Sequence, residues 1–590
     1  MKGPSPSPSS SLHTHTAVSL SVSTSWTSPD ALALDLDHAL ARYKIPALQR
    51  LIYSCLVRGL VERGGAPESA FSALPAGAVP HSTSPLPVHR RAAGLLDLDF
   101  TDEDRWGAAW TPDFVPKGLV FDARAGDLLQ LSAEGRVVRA WHGLKEIPQS
   151  MLAERHHSSS SSDGSGSENS SSWWGFSKLA ALEKHPDMAV FLTYFDTPAA
   201  LTLAQWIEWI DKEEEEVRNG SGAGAALKIK ERSGGYAHLF RAHIPIFDWL
   251  FDNTAAWPTG RGGFFAALRA DPTTYIHSRP DLLTWLISLR QERHVKVILA
   301  TNSHATYARF VLIETLGASW RDAFDLVFFD CAKPAWFARP QPLGNAITDQ
   351  PTIQTQTWGG THVIIPSPPL PLPPHGTAPA ILGTPPRESL RWSISVAASS
   401  TSSTPKDDAV LLPDEEYAGG SAALLDAALR AAALGRGVNG ATYVTVYLNA
   451  TGGIVRATAG GGEISEELPL DLSLATPPKV VFVGDHLHGD VAAAAAPPWC
   501  WHAVAVVEEL TWDESAPHFF PTTTITTSIT IDNDDRRAPN PLWSGFFGTN
   551  QNIQYQIDGN EREASHWSRV ISTHAVAVVS DVTALNRFFI

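Results

Sequence analysis

Basic residues are scarce in this chain. It has 45 Lys and Arg against 62 Asp and Glu, a formal charge of −17 over 590 residues. Such a balance repels a nucleic-acid backbone or an anionic membrane, so neither a nucleic acid polymer nor a membrane is expected as main partner. A phosphate-bearing small molecule stays admissible, because a metal ion inverts the local field. Cysteine is scarcer still. Cys55, Cys331 and Cys500 are odd in number and far apart, which excludes a disulfide scaffold and a CxxC zinc site and fits a reducing, cytoplasmic setting. No apolar run reaches the length of a membrane span. Residues 1–29 lack any acid, but one Lys and no Arg make a poor transit peptide; they read as a disordered arm.

Apolar residues, at 43%, are plentiful enough for a sizeable core, while 43 Gly and 43 Pro indicate much irregular chain. The length suggests two or three domains, or one domain with large insertions. Twenty Trp stand beside three Met. The Ser-rich tract 158–172 has almost nothing to bury and cannot offset its ordering entropy. Asp211–Glu216 reads as a solvated helix end. Pro366–Pro374 is expected to be extended polyproline chain, continued by the Ser-rich Ser399–Thr404, and Thr522–Thr530 is a further biased, β-prone stretch.

Between these tracts lie short, continuously apolar runs that stop at small or acidic residues: Ala31–Leu34, Val295–Ala300, Leu326–Phe329, Val480–Val483 and Ala503–Val507. Runs of this kind predict central strands covered on both faces. Helical spacing of Leu48, Leu51, Ile52, Cys55, Leu56 and Leu60 predicts a helix over 46–63, and Pro280 opens another with Leu282, Leu283, Leu286 and Leu289 on one face. Alternation of the two predicts a doubly wound parallel sheet, whose ligands bind at the carboxyl ends of the strands.

Four polar groups fall at those ends. Asp35 and Asp37 are two apart on extended chain and point the same way; with a cation between them one can act as nucleophile and the other handle a proton. Thr301, Asn302 and Ser303 offer a hydroxyl and an amide able to donate to a phosphate oxygen, or a helix N-cap. Lys333 would balance a phosphoryl group, unless it is an ordinary surface lysine. Asp485 and Asp490, in the Gly484–Asp490 loop, form a plausible hard-cation site, with Mg²⁺ the expected ion. The nearby His486 and His488 read as solvent-facing or hydrogen-bonding rather than as ligands.

An acidic pair, a Thr, a Lys and a second acidic pair, each after an apolar strand, resemble the four motifs of the haloacid-dehalogenase-like (HAD) phosphohydrolases. The local text is similar to one branch, the cytosolic purine 5′-nucleotidase-like family that includes the 5′-nucleotidase domain-containing proteins. Asp35–Lys44 resembles DMDYTLAxYK; Lys117–Asp122 with Gly126–Leu131 and His142-Gly143 resembles KGLVFD…GNLLKL…HG. Leu299–Ser303 resembles LxTNS, Trp320–Pro334 resembles W(R/Q)xYFD…KP, and Val483–Asp490 resembles (V/I)GDHIFGD. The resemblance runs from about residue 30 to about 512.

It implies an α/β, HAD-like doubly wound (Rossmann-like) sheet with an inserted cap domain and low-complexity insertions. The implied division is core at 30–64, cap at 65–270, core at 271–340, a Pro/Ser-rich insertion at 341–410, core at 411–515 with a further insertion at 436–476, and a C-terminal extension at 516–590. The resemblance implies an aspartyl-phosphate on Asp35, proton transfer by Asp37, and phosphate contacts from Thr301, Asn302 and Lys333. Mg²⁺ would be held by Asp35, the Asp37 carbonyl and Asp485, supported by Asp490. The implied function is hydrolysis of nucleoside 5′-monophosphates, with a homo-oligomer left open. Two departures motivate alternatives. Ala39 stands where the family has Thr, and Ala237 and Ala242 replace an Arg and an Asp of its cap helix. They admit a HAD phosphatase for another small phosphate ester, or a feebly active scaffold that binds protein partners.

Overall fold

The computed structural model describes residues 16–19, 29–72, 117–132, 135, 137–148, 150–152, 188–220, 235–252, 256–338, 343–345, 353–355, 363–365, 393–398, 409–411, 416–439, 443–448, 454–461, 464–511, 523–526 and 565–587. The Ser-rich tract, the polyproline run, Ser399–Thr404, most of the arm and Trp106, Trp110, Trp173 and Trp174 lie outside them, as does most of Thr522–Thr530.

Seven parallel strands carry the fold: β1 (Ala31–Leu34), β2 (Lys296–Ala300), β3 (Leu326–Phe329), β4 (Glu416–Gly419), β5 (Val480–Gly484), β6 (His502–Val506) and β7 (Ala575–Val579). Their spatial order is β4-β3-β2-β1-β5-β6-β7, with Leu343–Asn345 added antiparallel beside β4. β1, β3 and β5 are buried along their whole length. Burial on both faces explains their unbroken apolar text, since neither face meets water. The chain lays β1 to β4 outward on one side, then returns to place β5 on the other side of β1. That reversal puts the topological switch between β1 and β5, where an α/β sheet opens a crevice beyond its strand ends.

Among the helices of the described residues are α1 (Ile45–Glu62), α2 (Thr197–Arg218), α3 (Ala237–Phe251), α4 (Pro280–Gln291), α5 (Ala305–Leu316), α6 (Ala422–Gly435) and α7 (His566–His574). The predicted helices at 46–63 and from Pro280 are therefore present, each with Pro at its first turn, where no backbone donor is lost. The acidic run Asp211–Glu216 ends α2, as its composition implies.

Between β1 and β2 the chain builds a separate antiparallel sheet whose strands lie in the spatial order Lys145–Glu146, Val137–His142, Asp127–Leu131, Leu119–Asp122 and Met188–Phe191. α2 and α3 pack with it and with α1. Gln49 donates to Thr197 Oγ1 (2.8 Å) and Tyr53 to Gln205 Oε1 (2.7 Å), both buried. The described Trp of this region, Trp141, Trp206, Trp249 and Trp257, are buried and Trp209 packs against the same core, so packing is their duty. A further antiparallel hairpin, Ile454–Gly461 with Ile464–Leu470, extends from Tyr443–Leu448, within the stretch read as an insertion.

Candidate active site

The loop after β1 coils back on itself. Leu40 N donates to Asp35 O (3.3 Å) and Ala41 N to Leu36 O (2.8 Å), which presents the Asp35 and Asp37 carboxyls at the switch. Asp35 is anchored by its own amide, donating to Val483 O of β5 (2.9 Å). From the far side of the switch, β5 runs into Gly484-Asp485. A Cβ on Gly484 would lie 2.3 Å from Asp490 Oδ2, so only glycine lets Asp490 fold back beneath Asp485. His486 holds this turn by accepting from Gly489 N (2.8 Å). His486 therefore has the hydrogen-bonding role expected of it.

Ligand oxygens of Asp35, Asp485 and Asp490 all lie within 4.8 Å of one another, and all three residues are buried. Carboxylate oxygens are hard donors, so the set fits a Mg²⁺ ion that keeps part of its water shell. Lys333 spans two of them, its Nζ 2.9 Å from Asp35 Oδ1 and 2.6 Å from Asp490 Oδ1. Its side chain is 2% exposed, which corrects the surface-lysine alternative. Burial drags the ammonium down, yet Asp35 and Asp490 outweigh it and hold the Lys333 pKa above its ordinary range. Burial also lifts the Asp485 and Asp490 carboxyls. At Asp490 the push comes with Asp35 nearby and against the pull of Lys333.

Asp37 faces a different set. Tyr43 donates to its Oδ1 (2.5 Å), Ser303 donates to its Oδ2, and the Tyr43 hydroxyl meets that of Tyr307 at 2.8 Å. Burial raises its pKa despite these two donors, with Asp35 adding to the effect. The two carboxyls of one motif thus sit in different environments, the usual way a site separates a nucleophile from a proton carrier.

Thr301 is buried at the end of β2. The Asn302 amide is turned to the neighbouring loop: its Nδ2 donates to Lys333 O (3.1 Å), and its Oδ1 accepts from Lys333 N (2.6 Å). This pairing makes Asn302 the support that fixes where Lys333 stands. The N-cap of α5 is His304, which accepts from Thr306 N at 3.3 Å, one residue beyond the triplet expected to cap.

Lys117 opens the segment that resembles KGLVFD, a motif that by itself implies no role for it. In the fold it is buried, 3.2 Å from Glu509 and 4.5 Å from the centre of the Tyr194 ring, while Tyr194 donates to Glu509 (2.7 Å). Burial lowers its pKa, but Glu509, Asp485 and Glu508 together raise it above the ordinary value. It is therefore a second buried cation facing the acidic cluster. No spacing rule links Lys117 to Glu509 or Asp485.

Comparison with known proteins reaches part of the site. The profile of the 5′ nucleotidase family matches residues 103–432, a span that encloses Thr301 and Lys333 and stops short of the two acidic pairs. The 5′-nucleotidase domain-containing protein 1 of Homo sapiens is 26% identical over 310 residues, 52% of this chain and 54% of that protein. Its Bos taurus counterpart is 26% identical over 319 residues, with the same shares. The chain thus spans about half the length of the curated relatives it matches.

Proposed function

The chain belongs to the 5′ nucleotidase family, and on that premise we propose that it is a Mg²⁺-dependent phosphatase of the HAD type acting on nucleoside 5′-monophosphates. The observation that carries this reading is the buried triad Asp35, Asp485 and Asp490 at the switch between β1 and β5, spanned by Lys333. Buried acids and the Lys333 ammonium meet there, an arrangement suited to holding a cation and a phosphoryl group together rather than to packing.

An Asp35 oxygen attacks phosphorus as the ester P–O bond breaks, leaving an aspartyl-phosphate. Asp37 gives its proton to the departing oxygen; its raised pKa supports the protonated state that this needs. Tyr43 and Ser303 hold both of its oxygens, which fixes the direction of transfer. Water then attacks the phosphorus, Asp37 takes up its proton, and Asp35 and phosphate are released. Thr301 and Lys333 hold the phosphoryl oxygens, with Asn302 fixing the Lys333 backbone. Asp35, the Asp37 carbonyl and Asp485 would hold Mg²⁺, with Asp490 beside them, and bound there the ion supplies charge neutralisation for the transferred group. The sheet between β1 and β2, with α2 and α3, would serve as the cap that excludes water.

A second reading, hydrolysis of a non-nucleotide phosphate ester, is favoured by Ala237 and Ala242 in α3. Phosphate release from a panel of nucleoside monophosphates and sugar phosphates, with Mg²⁺ and with EDTA, separates the two. Selective turnover of a nucleoside monophosphate supports the first; selective turnover of another ester supports the second. Background release across the panel removes both.

A further inference from the structure

We infer that Asp581, in the segment 565–587 beyond the reach of the family likeness, is a positioning residue for the loop that carries Asp35 and Asp37. This rests on the reading of those two acids given above. The segment completes the sheet. β7 runs parallel to β6 in the register Val504↔Ala577 and Val506↔Val579, and Val507 N donates to Val579 O (2.8 Å). Its apolar residues Ala577, Val579, Val582 and Leu585 join the cluster that contains Leu34, Leu36 and Leu40.

Strand and turn together deliver one carboxylate to the flank of the β1 loop. Asp581 is buried and is held in place by Thr583, whose N (2.8 Å) and Oγ1 (2.7 Å) donate to its Oδ1. It pairs with Arg42 Nη1 at 3.3 Å and with Arg279 Nη2. Both arginines act on the loop. Arg42 belongs to it, and its carbonyl accepts from His277 N (2.9 Å). Arg279 Nη1 donates to Leu40 O (2.9 Å), and Leu40 N donates in turn to Asp35 O (3.3 Å).

A continuous set of bonds therefore runs from Asp581 through Arg279 and Leu40 to the backbone of Asp35. Charge-assisted contacts between groups this buried are directional and stiff. The loop's position governs the line of attack on phosphorus, whereas Thr301 and Lys333, on the ends of β2 and β3, hold the phosphoryl group. Loosening the clamp should therefore lower kcat and leave KM nearly unchanged. Misplacement by about 1 Å can cost up to a hundredfold; loss of one carboxylate charge, with the backbone bonds kept, is expected to cost about tenfold.

The test compares full-length wild type, Asp581→Asn, Asp581→Glu and Arg42→Gln for Mg²⁺-dependent turnover of nucleoside monophosphates, together with amide hydrogen exchange. The inference predicts a kcat reduced about tenfold in Asp581→Asn, KM within about twofold, partial recovery in Asp581→Glu, and faster exchange over 36–44 with β2 unchanged. It is overturned if kcat and loop exchange match wild type. It is also overturned if Asp581→Asn and Arg42→Gln speed exchange equally in the loop and in β2, which is what general destabilisation would do. Exchange does not depend on turnover: an inactive wild type with loop-specific loosening in Asp581→Asn refutes the proposed activity and leaves the clamp standing.

Discussion

Replacing Lys333 with Met keeps most of the side chain's volume and deletes its charge. In the folded protein the ammonium lies 2.9 Å from Asp35 and 2.6 Å from Asp490, with the Asp490 side chain 1% exposed. Removing one partner of a buried ion pair costs about 3–5 kcal/mol, because the remaining charge is left uncompensated. Here two carboxylates lose the same cation. Uptake of a proton by Asp490, whose carboxyl is already raised by burial, relieves the site. The cost should then depend on pH. At pH 8 with EDTA, guanidinium chloride unfolding followed by tryptophan fluorescence should show a loss of about 3 kcal/mol or more. At pH 5.5, where a proton substitutes for the ammonium, the loss should shrink by about 1 kcal/mol or more. A loss under about 1 kcal/mol at pH 8, or one equal at both pH values, would refute the view that Lys333 neutralises this cluster.

The acidic cluster should also set how Mg²⁺ stabilises the protein. Burial raises Asp485 and Asp490. The stability linked to their protonated forms is thus complete below about pH 4 and is lost as pH rises through their folded values. Metal must displace those protons, so the rise in melting temperature caused by Mg²⁺ should grow between pH 5 and pH 8; a flat response would count against metal at these acids. In the inserted sheet, His142 bonds Asp127 (2.7 Å) and Asp211 (2.8 Å). Burial opposes its charge, but the two acids push its pKa up to about 9. His142→Gln should therefore destabilise on the order of 2 kcal/mol at pH 7, after allowance for solvent near Asp211. That difference should fade as pH passes 9, and a pH-independent loss by thermal denaturation would contradict the assignment. Gly118 has φ +90°, and a Cβ there would lie 2.1 Å from Trp567 Nε1, which donates to Gly118 O at 2.9 Å. Gly118→Ala should cost about 2–3 kcal/mol; a wild-type unfolding midpoint would show that α7 docks elsewhere.

The strands that were legible in sequence are those the fold buries on both faces. Val480–Val483 and Leu326–Phe329 need no partner to be read, since a continuous apolar run before a Gly or Asp is a local signal. β4, Glu416–Gly419, carries a glutamate and a glycine in four residues and gives no such pattern. β7, with its apolar Ala575–Val579, does carry one but lies beyond the family likeness, and its place beside β6 is set by pairing that no local pattern encodes. The candidate site is legible for the same reason, because each of Asp35, Thr301, Lys333 and Asp485 follows a readable strand. What stayed hidden is pairing between distant positions. Asp581 with Arg42 and Arg279, Lys117 with Glu509, and the Asn302 amide on the Lys333 backbone have no characteristic spacing, and only the assembled fold brings them together. Lys333 is buried rather than at the surface because the loop after β3 meets Asp35, after β1, and Asp490, after β5.

The account turns on Asp35 as the nucleophile, and trapping the phosphorylated enzyme tests it most directly. Protein quenched during Mg²⁺-dependent turnover of a nucleoside monophosphate would be treated with borohydride, which reduces an acyl phosphate to the alcohol, and then mapped by mass spectrometry. The account predicts homoserine at position 35 and at no other acid, with phosphate release abolished in Asp35→Asn. Continued release by Asp35→Asn, or turnover by the wild type with trapping at another acid, would contradict it.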